Sequence, residues 1–202
     1  MRQASTPLTG VERTFDVDEI IVSKTDLKGR ITYANQIFLK IAGYTEAEVI
    51  GKPHSLIRHP EMPRAVFRYL WETIAAGREV FAYVVNRAKN GDHYWVFAHV
   101  TPTFDAAGRI IGYHSSRRVA DRSAVRTVSM LYAELRQVEA RHATAAAAAD
   151  AGLAALRAKL ESLQVGYEEF VFSLARRAVT SELPVGDRKG ADENARPILT
   201  RA

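Results

Sequence analysis

Val80-Phe81-Ala82-Tyr83-Val84-Val85-Asn86-Arg87-Ala88-Lys89-Asn90-Gly91-Asp92-His93-Tyr94-Trp95 reads as two strands folded back on each other. β-Branched and aromatic residues fill both arms, and Lys89-Asn90-Gly91-Asp92 supplies hairpin-turn chemistry between them. The second arm runs on to Phe104, where Asp105-Ala106-Ala107-Gly108 turns the chain into a third strand, Ile110 to Arg118. Upstream, Glu19 to Thr25 and Arg30 to Ala34 make another hairpin around Asp26-Leu27-Lys28-Gly29. Two strands, several short helices and three more antiparallel strands specify an α+β domain. Its sheet buries one face against the helices, with a concave pocket between them.

The segment between the hairpins is punctuated for helices. Asn35 can cap a short one bearing Ile37, Phe38 and Ile41, which Gly43 ends. Thr45-Glu46-Ala47-Glu48 has the form of a capping box, and Gly51-Lys52-Pro53 closes that turn. Arg58-His59-Pro60-Glu61-Met62-Pro63 is a basic, proline-framed bend, with Pro63 suited to the first position of a longer helix. Val66, Phe67, Leu70, Trp71 and Ile74 recur three and four apart, so one face of that helix is buried.

Around this core, residues 1–17 are expected to form a loose N-terminal cap and residues 18–120 the domain. Residues 121–179 carry two apolar seams, Val128-Leu131-Leu135-Val138 and Leu153-Leu156-Leu160-Leu163-Tyr167-Phe170-Leu174. Their registers do not match, which predicts either one long coiled-coil helix with a stutter or a helical hairpin turned at Asp150-Ala151-Gly152. The hairpin is favoured, and the second seam is the expected surface for a partner or a second copy. Residues 180–202, rich in Pro, Gly and charge, are expected to be a disordered tail.

Composition narrows the chemistry. The 202 residues carry a net charge of +5, with basic residues scattered rather than striped, so a solvated surface is expected rather than a nucleic-acid site. No apolar run approaches the ~20 residues that span a bilayer, and Met1 to Thr14 lacks a leader's apolar region. A cytoplasmic protein without membrane insertion is the expectation. Cysteine is absent, which excludes disulfides, thiolate metal sites and photoreceptor chemistry through a cysteine adduct. There is no Gly-rich phosphate loop, no paired His at metal spacing and no Gly-x-Ser-x-Gly elbow, so no enzyme is expected.

Five motifs agree in order and spacing with one family: Ala42-Gly43-Tyr44-Thr45, Gly51-Lys52-Pro53-His54, Arg58 to Pro63, Lys89 to Trp95, and Ile111-Gly112-Tyr113. From about Thr25 to Arg118 the chain resembles the FAD-binding PAS domains of bacterial energy-taxis (aerotaxis) sensors of the Aer and CetB kind. The resemblance implies a PAS fold, a five-stranded antiparallel sheet with short helices on one side, followed here by a helical or coiled-coil extension. It also implies FAD held non-covalently between sheet and helices. The expected role is redox sensing in chemotaxis signal transduction, with a membrane chemoreceptor or other signalling protein, or a homodimer mate, as partner.

Carried over residue by residue, the resemblance makes Arg58 and His59 the flavin-binding motif, with Glu61 standing where the family has Asp. Arg beside His can present several donors to a pyrophosphate or a reduced flavin, or can merely tie the bend to Glu61 and nearby carbonyls. Trp71 matches a pocket tryptophan or is core, and Phe67, one turn earlier, is a candidate contact that its helical spacing favours as core. Asn86, on a strand where Asn is disfavoured, offers an amide to the flavin's polar edge. Asn35 matches too, though capping accounts for it equally. Val80-Phe81-Ala82-Tyr83 departs from Aer and looks more like CetB, leaving Phe81 as an aromatic contact. Two alternatives stand beside FAD: a haem-binding gas sensor using one of His93, His99 and His114, and a cofactor-free scaffold.

Overall fold

The computed structural model describes residues 6–182, with side chains as far as Leu174. Strands β1 (Ile21–Thr25), β2 (Ile31–Ala34), β3 (Val80–Arg87), β4 (His93–Phe104) and β5 (Ile110–Val119) form one antiparallel sheet in the order β2-β1-β5-β4-β3. Helices α1 (Gln36–Ala42), α2 (Glu46–Val49) and α3 (Arg64–Ala75), with a 3-10 turn at His54–Ile57, lie between β2 and β3. This is the α+β arrangement expected from the punctuation, and the five-stranded sheet with short helices that the resemblance implies. Asn35 caps α1, its side-chain oxygen accepting from Phe38 N at 3.0 Å, and Thr45 with Glu48 closes a capping box on α2.

β3 pairs with β4 in strict register from Val80–Val100 to Arg87–His93. Alternation therefore sends Ala82, Val84 and Asn86 to the helix side and Phe81, Tyr83 and Val85 to the other. The N-terminal segment is more tightly held than a loose cap. It runs beside the β3–β4 turn, with Arg13 N donating to His93 O at 2.7 Å and His93 N to Val11 O at 2.9 Å. Asp92 anchors it by accepting from Thr9 Oγ1 (2.6 Å) and Arg13 Nε (2.9 Å), which hold its carboxyl down to about 2. Gly91 is obligatory there: its φ is +97°, and a Cβ would stand 1.9 Å from Pro7 O.

Downstream lie three helices, α4 (Arg122–Glu139), α5 (Ala145–Ser162) and α6 (Tyr167–Glu182). The turn expected at Asp150-Ala151-Gly152 instead falls at 140–144, where Thr144 caps α5 by accepting from Ala147 N at 3.1 Å. Gly152 sits inside α5 because the helix must pass close to its neighbours: a Cβ there would lie 2.7 Å from Glu139 Oε1 and 3.0 Å from Ala65 Cβ. The second seam divides between α5 and α6 at a turn where Gln164 takes a φ of 55°. Its leucines are not an open surface as expected. Leu153, Leu156, Leu160 and Leu174 are buried within the chain, and Leu163 is 47% exposed. The tail beyond Glu182, expected to be disordered, lies outside the described residues; residues 180–182 belong to α6.

The extension covers the sheet's outer face and its β3 edge. Tyr132 of α4 stacks on Trp95 and donates to Tyr83 O at 2.6 Å, while Phe172 of α6 packs on Phe81 and Phe97. Val85 N, also on the edge, points at Met62 Sδ at 3.4 Å. An edge strand that would otherwise offer unpaired N–H and C=O groups is thus closed by the chain itself. α5 runs along α3, with Arg68 bridging to Asp150 at 3.4 Å and Arg157 to Glu72 at 3.3 Å.

Pro63 precedes the first turn of α3 at its cap position rather than opening the helix, and it has no side chain able to cap it. The missing acceptor comes from α4. Buried Glu139 takes Arg64 N on Oε2 at 2.9 Å and Ala65 N on Oε1 at 2.8 Å. A carboxylate on two otherwise unpaired amides at a helix N-terminus is favourable both as a hydrogen-bond acceptor and against the helix dipole. The extension and the domain are joined there.

Candidate functional site

A cavity of about 520 Å³ lies between the sheet's inner face and α3 with the 3-10 turn before it. That volume is in the range of ligand-binding clefts. Val84, Ala98 and Val100 form its apolar floor, and Ile57, Phe67, Leu70 and Ile74 its roof. Tyr113, Ser115 and Arg117 enter from β5, and Ser23 from β1. Arg58, Arg64, Arg68 and Lys28 ring the approach, which makes it cationic, and Ala145 and Ala149 of α5 complete the wall.

Polar atoms inside this apolar space lack partners. Asn86 Nδ2, Ser115 Oγ and Arg117 Nη1 are buried with no hydrogen bond. Asn86 and Arg117 are each only 4% exposed. Leaving a buried donor unmade costs about 1–3 kcal/mol, so three in one cavity mark where a ligand's polar atoms belong.

Arg117 is held by its other nitrogen. Nη2 donates to Ser23 Oγ at 2.6 Å and meets His54 Nε2 at 2.8 Å. Nε2 must be the bare, accepting nitrogen, because a guanidinium only donates. Ser23 Oγ, 3.1 Å from the same nitrogen, completes the cluster. None of the ion pairs formed by the described residues includes Arg117. Burial pulls its guanidinium down to about 10.

Burial, and then the Arg117 charge, push the His54 imidazole down to about 3. The unfolded chain takes up a proton near the ordinary value of 6.5 while the folded chain does not. Stability therefore falls as pH drops from 6.5 toward 3 and then levels. Chemical denaturation should show a loss of about 1–2 kcal/mol between about pH 6.5 and about pH 5, above the range where Asp92 and Glu48 contribute. His59 and His114, also lowered by burial, act in the same direction. His54→Gln should flatten the slope, and an unchanged slope would refute the assignment.

The sequence-derived site residues divide evenly. Arg58, Phe67, Trp71 and Asn86 come together on the cavity. Arg58 lies over the Phe67 ring at 4.5 Å, donates to Met62 O at 3.3 Å, and its backbone bridges to Asn86 on the β3 edge. Trp71 is at the mouth, 39% exposed, edge-on to Tyr113 at 5.4 Å.

The other four lie away from it. His59 is buried behind the wall, its Nδ1 accepting from Glu61 N at 3.2 Å and its ring 5.7 Å from His93. Glu61 is exposed on the bend. Asn35 is fully engaged as a cap, also accepting from Val22 N at 3.0 Å and donating to Ile20 O at 2.8 Å. Phe81 is corrected outright, since it stacks on His99 at 4.2 Å and packs on Phe172 on the outer face. Of the histidines weighed for haem, His99 bonds Glu79 at 2.7 Å on that outer face and His93 packs on His59, while His114 borders the cavity. Ser23, His54, Ser115 and Arg117 were missed, although strand alternation puts Ser115 and Arg117 on the side of Tyr113.

Residues 31–117 match the family model described as PAS fold. That stretch, comprising four of the five strands and the helices between them, carries the PAS fold. The chain is similar to the aerotaxis receptor of Escherichia coli (strain K12), with 41% identity over 133 residues, covering 66% of this chain and 25% of the receptor. The nitrogen fixation regulatory protein of Klebsiella pneumoniae is 27% identical over 99 residues, covering 49% of this chain and 20% of that protein. Blue-light-activated histidine kinase 1 of Erythrobacter litoralis (strain HTCC2594) is 30% identical over 111 residues, covering 52% and 31%. The chain thus spans less than a third of the length of each of these relatives. Among solved structures, the dark structure of the blue-light photoreceptor Aureochrome1 LOV aligns with a TM-score of 0.47 and 23% identity, covering 59% of this chain and 86% of that one. Among the described residues no helix is long and apolar enough to cross a membrane.

Proposed function

We propose that this chain is a flavin-binding sensor, with FAD as its cofactor, which passes the cofactor's redox state to a signalling partner through its C-terminal helices. The observation that carries it is the trio of unpartnered buried groups, Asn86 Nδ2, Ser115 Oγ and Arg117 Nη1, facing an apolar slot under a cationic approach. That donor set fits a flat heteroaromatic ring with polar edges better than a purely apolar ligand. When bound, the flavin supplies reversible electron uptake.

The residues have distinct tasks. Asn86 and Ser115 orient the ring's polar edge, and the apolar floor and roof exclude water. Arg117 places a fixed positive charge where an electron-rich ligand is favoured, and Arg58 with Arg64 meets the phosphates at the mouth. Asn86 stands on β3, whose edge is joined to α4 by the Tyr132–Tyr83 bond. A shift at Asn86 thus has a direct path to the helices and from them to a membrane chemoreceptor, another signalling protein or a second copy of the chain.

The absorption spectrum of the purified protein tests this. A flavin spectrum that bleaches with dithionite is the expected result. A Soret band would establish the haem alternative, and a colourless folded protein that takes up no added flavin would leave only the scaffold.

A further inference from the structure

Glu139 is the last residue of α4, yet its carboxylate is built into the wall that carries the cavity. Its two oxygens take the first two amides of α3, Arg64 N at 2.9 Å and Ala65 N at 2.8 Å. Arg64 also lines the cavity, as does Arg58, six residues earlier on the bend that leads into α3. On its far side Glu139 is pressed by α5, where only glycine at 152 leaves room. One buried carboxylate of α4 therefore touches both α3, which roofs the site, and α5.

We propose, taking the flavin assignment above as given, that Glu139 is a positioning residue for the cofactor site and the joint through which the charge of the bound ligand sets the packing of the helical extension. An anion fixed beside Arg58 and Arg64 draws on the same positive charges that a bound flavin uses. A ligand that becomes more negative competes for those charges and weakens the carboxylate's hold on α3. By linkage the effect is reciprocal: whatever holds Glu139 in place must disfavour the more negative ligand by the same factor. Arg58's guanidinium, lowered by burial and by Arg64 and raised again by Glu139, is electrostatically in range of this carboxylate.

Glu139→Gln tests the proposal because it removes the charge while keeping the shape and one of the two accepting oxygens; Glu139→Ala, which removes both acceptors, separates the loss of hydrogen bonds from the loss of charge. With dithionite as reductant, two electrons pass to the flavin, sulfite is formed, and uptake of one proton leaves the ring one unit more negative. The ratio of affinities for reduced over oxidised flavin, which the midpoint potential reads, should rise about fivefold or more in the variant, the lower end of ordinary site-to-site coupling. In the wild-type protein, hydrogen exchange at the Arg64 and Ala65 amides should quicken on reduction. Glu139→Ala should bind flavin less well and speed exchange at both amides in either redox state. If flavin binds but the Glu139→Gln potential and the two amides ignore charge and redox state, Glu139 is only a structural cap and the proposal falls. If no flavin binds at all, the functional assignment has failed instead.

Discussion

Gly152→Ala should destabilise this protein by about 2 kcal/mol, against the gain of about 1 kcal/mol that alanine ordinarily brings inside a helix. The methyl would stand 2.7 Å from Glu139 Oε1, 2.9 Å from its Cγ and 3.0 Å from Ala65 Cβ. The carboxylate can swing aside, but only by releasing Arg64 N and the buried Ala65 N, two amides that no other group caps. Lost charge-assisted hydrogen bonds outweigh the propensity gain, so the sign reverses. A double-mutant cycle in urea makes this specific. In a Glu139→Ala background the same Gly152→Ala change should be neutral or stabilising, and an equal loss in both backgrounds would show that the clash with Ala65 alone is responsible.

Arg117→Met should do the opposite to the ligand-free protein, raising its stability by about 1–3 kcal/mol, because a buried charge without a counter-ion is removed and a side chain of similar length takes its space. Ser23 and His54 keep each other as partners at 3.1 Å, so no new polar group is stranded. Flavin affinity should fall at least about tenfold, in line with the loss of one charged hydrogen bond. Stability and binding moving in opposite directions is the signature of a residue retained for a ligand rather than for the fold. A destabilised variant would mean that Arg117 is a structural member of the wall.

The sheet and its turns were legible because their signals are local. Asn90-Gly91 fixes one hairpin, and Asn35 and Thr45 announce their helices within three residues of what they cap. Arg58, Trp71 and Asn86, which border the cavity, stand out in sequence through the family resemblance, and Phe67 only through its place on the helix face one turn before Trp71. Phe81 was not, although simple alternation argued against it: Asn86 and Phe81 are an odd number of positions apart on β3, so they cannot share a face. Arg117 reads in sequence as a solvated strand arginine, and only the return of β1 beside β5 and the 3-10 turn above it bury the side chain.

The joint at Glu139 had no sequence signal. Its partners Arg64 and Ala65 are 75 and 74 residues away, and an acidic residue near the end of a helix runs against the dipole of its own helix. The heptad spacing of α5 and α6 was real, but its leucines other than Leu163 are buried within the chain. Periodicity identifies an apolar face without naming what covers it. The glycine taken for a hairpin vertex proved to be a point of close helix approach, which composition alone does not distinguish from a turn.

The most direct test of a flavin in this cavity is an equilibrium titration of cofactor-free protein with FAD, followed by quenching of flavin fluorescence, with Arg117→Met alongside. Saturable binding of one FAD per chain, weakened in the variant, is the predicted result. A folded wild-type protein that leaves FAD fluorescence unchanged, or a variant that binds as tightly as the wild type, would contradict the placement of the cofactor against Asn86, Ser115 and Arg117.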